Sequence, residues 1–209
     1  QVLVIADEVM CGAGRCGTWR ALEHDGVVPD VIAVGKGLAG GYIPLAATIF
    51  RREIGDTIVA AQGTVLTGHT YSGHTAACAA GLAVQRIIER ESLIARVRER
   101  GESLRRELQA ALARFAEVGD VRGRGYLIGI ELVRDRASRE PFPAERALSQ
   151  AIGRRAFEEG LICYPCAGNV GGVRGDTLIV APPFNASEAE LAELIEKLSG
   201  AIGRTLAEG

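Results

Sequence analysis

The chain of 209 residues can bury a sizeable core, and with 47% apolar and 24% charged residues it reads as a globular rather than a disordered protein. A formal charge of −2 with no basic stripe argues against a nucleic-acid partner. No segment approaches the roughly 20 continuous apolar residues of a membrane span.

Gln1 leads directly into Val2-Leu3-Val4-Ile5, with neither a basic start nor a cleavage site, so no signal peptide is read. A strand pattern at the first residues, with no initiating methionine, suggests a piece of a longer product. Residues 2–6 and 31–34 are short apolar runs of the kind that form parallel strands buried on both faces. Between them, a short helical stretch is predicted around residues 19–24. Strand, crossover and strand make a βαβ unit. Residues 44–50 read as a third strand, and 63–73 as a loop rich in Gly, Thr and Ser. A helix with many alanines covers 74–90, and an amphipathic one covers 93–115, with Val97, Leu104, Leu108, Leu112 and Phe115 at helical spacing. The domain boundary is placed near Glu91, giving domains 1–90 and 91–209. Beyond it the pattern predicts a strand at 126–133, a helix at 144–159 and a strand at 161–164. A Gly-rich loop at 169–175 and a strand at 177–181 follow. The last helix opens on a capping box of Ser187 and Glu190. The second half is therefore a small α+β domain.

Five cysteines are present: Cys11, Cys16, Cys78, Cys163 and Cys166. Cys163 and Cys166 form a C-x-x-C, which a redox dithiol or half a zinc site could use. Cys11 and Cys16 are spaced too loosely for the matching half, so free thiols in a reducing cytoplasm are the preferred reading, with no metal.

The chain has 22 arginines and only two lysines, Lys36 and Lys197. A lysine can lose its proton and attack a carbonyl carbon, which arginine cannot. Lys197 fits the polar side of the last helix. Lys36 lies between two glycines just past a buried strand, and Asp7 takes the corresponding place on the other strand. Ligands of open parallel sheets gather beyond the carboxyl ends of the strands, so both residues belong to one edge. Each also has a plainer reading: Asp7 as a turn cap and Lys36 as a solvated charge. A lysine facing a carboxylate across a flat ligand is the arrangement pyridoxal phosphate requires.

Asp7-Glu8-Val9-Met10-Cys11-Gly12-Ala13-Gly14-Arg15-Cys16-Gly17 resembles the D-E-V-x-x-G-x-G-R-x-G segment of class III aminotransferases. Pro29-Asp30-Val31-Ile32-Ala33-Val34-Gly35-Lys36-Gly37 and the residues through Leu45 resemble that family's lysine segment. Gly68-His69-Thr70-Tyr71-Ser72-Gly73-His74 is similar to its phosphate segment. Gly175-Asp176-Thr177 through Phe184 resembles its late substrate-side segment. The resemblance covers nearly the whole chain in the right order.

It implies an α/β fold: the C-terminal part of a fold type I large domain with a parallel-rich sheet, followed by the small α+β domain. Lys36 would be the Schiff-base and proton-transfer lysine, Asp7 the partner of the pyridine nitrogen, and Val9 a packing residue on the ring face. Thr70, with the backbone at His69, would bind the cofactor phosphate across a homodimer interface, and Arg174 would clamp a substrate carboxylate. The implied reaction moves an amino group from an amine or ω-amino acid to an oxo acid such as pyruvate. Racemases, mutases and decarboxylases share the scaffold, and a non-catalytic assembly role is the remaining alternative. The family's N-terminal half, with its Gly-Ser phosphate loop, precedes the aspartate strand and is not in this sequence. This chain alone is therefore expected to expose a sheet edge and an apolar face, to bind cofactor poorly and not to turn over.

Overall fold

The computed structural model describes residues 2–65 and 68–208, so Gln1, Gly209, and Leu66 and Thr67 of the Gly-rich loop lie outside the described residues. The chain divides into two compact units, Gln1–Ala95 and Arg96–Gly209.

In the first unit, β1 (Ile5–Asp7), β2 (Val31–Val34) and β3 (Ala47–Phe50) form a sheet in that order. β1 runs parallel to β2, while β3 is antiparallel, so this sheet is mixed. Asp30 gathers its three strands. Its Oδ2 accepts the Val4 N–H at 2.8 Å, Oδ1 pairs with Arg51 at 3.1 Å, and its carbonyl accepts the Arg51 N–H. The run at residues 2–6 departs from the expected buried strand. Only Ile5–Asp7 is strand, and Val2 and Ile5 are 90% and 72% exposed, so nothing among the described residues covers their side chains. Two helices complete the unit: α1 (Arg52–Gln62), which the sequence pattern did not predict, and α2 (Thr75–Arg90). The His74 ring Nδ1 caps α2 by accepting the Ala77 N–H at 3.3 Å. Short 3-10 turns occupy Ala21–Asp25 and Lys36–Ala39.

α3 (Leu93–Leu112) begins at the end of the first unit and continues into the second. There β4 (Val118–Arg124), β5 (Leu127–Leu132), β6 (Tyr164–Val170) and β7 (Arg174–Val180) form an antiparallel sheet in the order β4-β5-β7-β6. α4 (Leu148–Glu158) and α5 (Glu188–Ala207) complete it. The core joins Leu104, Leu108 and Leu112 of α3 to Ile128, Ile130 and Leu178 of the sheet and to Leu191, Leu198 and Ile202 of α5. Apolar side chains at every third or fourth position make one buried stripe on each helix. The Ser187–Glu190 capping box is present, with the Glu190 N–H donating to Ser187 Oγ at 3.2 Å.

Several expectations need correcting here, among them the strand placed at 161–164, of which only Tyr164 belongs to β6. β4 had not been predicted. The expected loop at 169–175 instead belongs largely to a hairpin, because β6 runs to Val170 and β7 starts at Arg174. The helix expected from residue 144 starts as a 3-10 turn, Ala144–Arg146, and becomes α-helical only at Leu148, because Ala147 is left-handed at φ +43°. Among the described residues, no helix is long and apolar enough to cross a membrane.

Candidate active site

Asp7 pairs with Ala33 in register, so β1 and β2 end together. The ladder continues one residue further, with the Glu8 N–H donating to the Ala33 carbonyl at 2.8 Å. Here the chain must separate two adjacent carboxylates. Asp7 stays exposed, and its Oδ1 accepts the Val9 N–H at 3.0 Å. Glu8 turns inward and is only 2% exposed. Its oxygens accept the Ala21 N–H at 2.8 Å, the Leu22 N–H at 3.2 Å and the Cys11 thiol at 3.4 Å. The buried carboxylate therefore ties the loop after β1 to the 3-10 turn at Ala21–Asp25. Burial first, then the hydrogen bond to Glu8 and its negative charge, push the Cys11 thiol up to about 11.

Lys36 follows β2 by two residues and is exposed. Its φ is +43°, a left-handed conformation that few non-glycine residues adopt and that only well-braced surroundings retain. The bracing comes from the neighbouring loop. A Cβ on Gly35 would stand 3.7 Å from Val9 Cγ1, and one on Gly37 would stand 3.6 Å from Ala13 Cβ. Ala13 is 1% exposed. Asp7, Val9 and Lys36 thus share one sheet edge, on two loops packed against each other.

His69 lies on a separate groove of about 450 Å³, lined also by Ile43 to Ala46, Tyr71 to His74 and Ala77. Its N–H donates to Ser72 Oγ at 3.0 Å, so a phosphate bound there would take over a donor that Ser72 uses in this structure. Thr70 is exposed in the turn between them. Arg174 belongs to the second unit, where it pairs with Glu140 at 3.1 Å. Glu8 went unassigned in the sequence, although a carboxylate doublet at the end of an apolar run implies that one member turns in. Gln85 was missed too: its Nε2 donates to the Leu38 carbonyl at 3.0 Å, and its Oε1 accepts the Trp19 indole N–H at 3.1 Å.

The architecture is that of the C-terminal part of the fold type I pyridoxal-phosphate-dependent transferases: a lysine-bearing α/β unit followed by a small α+β unit. A transaminase structure from the marine bacterium Virgibacillus matches with a TM-score of 0.91 and 30% identity, covering 99% of this chain and 46% of that one. An amine transaminase from an uncultivated Pseudomonas species, solved in a PLP-bound form, matches with a TM-score of 0.87 and 36% identity, covering 98% of this chain and 45% of that one. The uncharacterized aminotransferase YodT of Bacillus subtilis (strain 168) is 42% identical over 199 residues, 95% of this chain and 45% of its own length. The family profile of class-III aminotransferases matches residues 1–202, and the chain belongs to that family. It spans a little under half the length of YodT.

Proposed function

We propose that this chain supplies the lysine-bearing part of a pyridoxal-phosphate-dependent aminotransferase that moves an amino group from an amine or ω-amino acid to an oxo acid such as pyruvate. The observation that carries the reading is that Asp7 ends β1 in register with Ala33 of the parallel strand β2, three residues before Lys36, which is held at φ +43°. The residues present fit the cofactor chemically. Lys36 offers an exposed primary amine, Asp7 an exposed carboxylate with Oδ1 taken by Val9 N–H, and Val9 an apolar flank.

When bound, pyridoxal phosphate supplies an electron sink for the carbanion of the substrate. In this reading Lys36 Nζ would be the group that holds the cofactor at its aldehyde. Lys36 then moves the proton at the substrate's reacting carbon. Asp7 keeps the ring nitrogen protonated through a charge-assisted hydrogen bond, and Val9 packs on the ring face. The Thr70 hydroxyl and the His69 N–H bind the phosphate held by the neighbouring subunit of a cytoplasmic homodimer. Arg174 holds a substrate carboxylate as a two-pronged donor. Domains 1–90 and 91–209 are read as the end of the cofactor-binding domain and the small C-terminal domain.

The test is to add pyridoxal phosphate to the full chain, reduce with borohydride and map the labelled peptides. Borohydride traps even a weakly held cofactor. Label at Lys36 in clear preference to Lys197 is expected. Equal label on both lysines, or label on Lys197 alone, would overturn the assignment.

A further inference from the structure

A left-handed lysine needs a brace, and the brace visible in the fold extends beyond the two loops of the site. α2 presents Gly81, Val84 and Gln85 on one face, as i, i+3 and i+4 positions of a helix do. That face lies against the turn Lys36–Ala39 and its C-terminal Gly40. A Cβ on Gly81 would stand 3.8 Å from the Leu38 carbonyl oxygen, and one on Gly40 would stand 3.4 Å from Val84 Cγ1. Gly81 is also so close to Leu45 that its added Cβ would meet Leu45 Cδ2 at 2.5 Å. Gly81 is thus needed for the close approach to Leu45, while the helix and the turn are in ordinary van der Waals contact.

At this contact Gln85 uses both ends of its amide. Nε2 donates to the Leu38 carbonyl at 3.0 Å, and Oε1 accepts the Trp19 indole N–H at 3.1 Å. Those partners lie 47 and 66 residues away in sequence. One joins the loop after β1, the other the turn after β2. The turn itself closes through a weak set of bonds: Leu38 N–H to the Gly35 carbonyl at 2.9 Å, Gly40 N–H to Gly37 at 3.2 Å and Tyr42 N–H to Ala39 at 3.1 Å. Each is the short 3-10 kind, with poorer geometry than an α-helical bond. The Leu38 N–H to Gly35 bond spans Lys36 itself, and Gln85 holds the carbonyl of that same Leu38, so the turn around the lysine is fixed on both sides of Leu38.

We propose that Gln85, oriented by Trp19, is a positioning residue for Lys36. It anchors the Leu38 carbonyl, and the anchored turn holds the lysine in its left-handed conformation. Gln85 touches no reacting atom in this assignment and acts only through the turn. That Lys36 is the working lysine rests on the proposed function; the mechanical role of Gln85 does not.

The role can be tested on the full chain with three variants, Gln85→Met, Gln85→Glu and Trp19→Phe. Met keeps the shape and loses both hydrogen bonds. Glu can still accept from Trp19 but presents no donor to Leu38. Phe removes only the Trp19 donor. Hydrogen exchange of the peptide spanning residues 35–42 is read first, against peptides of the β4-β5-β7-β6 sheet as reference. Gln85→Met and Gln85→Glu are expected to speed exchange there roughly three- to tenfold, the shift that loss of one net hydrogen bond produces. Trp19→Phe should give a smaller change, and the reference peptides none. The ratio of reductive pyridoxal-phosphate labelling at Lys36 to that at Lys197 should fall in the same order.

Unchanged exchange at 35–42 in both Gln85 variants would overturn the proposal, and so would acceleration spread equally over the whole chain. If Gln85→Met fails to fold, Gln85→Glu and Trp19→Phe still decide between these outcomes. If the parent chain itself shows no preference for Lys36, the proposed function fails while the exchange data still judge the role of Gln85.

Discussion

Replacing Glu8 by Gln tests how much of the site's framework hangs on one buried carboxylate. Glu8 is 2% exposed and accepts two backbone N–H groups, from Ala21 at 2.8 Å and Leu22 at 3.2 Å. A glutamine has a single oxygen to offer, so its NH₂ would face whichever N–H remains. One buried donor is then left without an acceptor, at about 1–3 kcal/mol, and the surviving bond loses its charge assistance. A loss of about 2 kcal/mol in the first unit is expected. The chain's one tryptophan, Trp19, lies in that unit, so urea unfolding followed by its fluorescence reads this unit directly. A second readout comes from Cys11, whose thiol is pushed up from the ordinary 9.0 to about 11 by burial first and by Glu8 next. At pH 9 only about one per cent of such a thiol is ionised, against half of an ordinary one. Removing the Glu8 charge leaves burial as the principal cause. The alkylation rate of Cys11 at pH 9 should then rise roughly three- to tenfold. A stability loss under about 0.5 kcal/mol, together with an unchanged pH profile for Cys11, would refute the keystone role of Glu8.

Two further outcomes concern the second unit and are read by urea titration with far-ultraviolet circular dichroism. Gly101→Ala is expected to destabilise by about 2 kcal/mol although alanine is the better helix former by about 1 kcal/mol, because its Cβ would fall 2.4 Å from the Gly125 carbonyl oxygen and backbone must move. A gain in stability would show that α3 can shift away from the β4–β5 hairpin at little cost. Asp176→Ala removes the one oxygen that accepts both the Ser149 N–H at 2.8 Å and the Ser149 hydroxyl at 2.7 Å, at the buried start of α4. About 2–4 kcal/mol should be lost, with Asp176→Asn losing less because it keeps an acceptor; equal losses would point to the charge rather than the cap.

Much of the candidate site could be picked out in the sequence because its signals are local. Lys36 is conspicuous as one of two lysines, set between glycines after an apolar run, and Asp7 ends the other run. The Ser187–Glu190 cap is likewise a short-range pattern. What escaped is held by distant partners. β4 reads Val-Gly-Asp-Val-Arg-Gly-Arg, without alternation, and a register shift between Val118 and Asp120 breaks its period; its pairing with β5 makes it a strand. Gly168, Asn169 and Val170 look like loop residues, yet they continue β6 alongside β7, with the Asn169 amide donating to the Thr177 hydroxyl. α1 carries a glycine and the β-branched run Thr57-Ile58-Val59, which weakens its helical signal. Gln85, a polar residue amid a helix, passes for a solvated position until the Leu38 carbonyl and the Trp19 ring are found beside it.

The conformation of Lys36 also bears on what the turn is for. A left-handed non-glycine residue costs about 1–2 kcal/mol, and a glycine at 36 would remove that at an unfolded-state entropy cost of about 0.5–1 kcal/mol. The balance favours glycine by roughly half a kilocalorie, so stability alone gives no reason for a lysine between Gly35 and Gly37. Comparing Lys36→Gly with Lys36→Ala isolates this strain, since both lose the amine and only alanine keeps a Cβ at φ +43°. Lys36→Gly should be the more stable of the two in urea titrations followed by Trp19 fluorescence, and neither should take a reduced pyridoxal label at position 36. If Lys36→Gly were the less stable, the left-handed turn would be relaxed rather than braced. The contacts of Val9, Ala13 and Gln85 around it would then be ordinary packing. If it is the more stable, the turn carries a cost at position 36 that the proposed role of the amine would account for, as expected where function and stability compete for one residue.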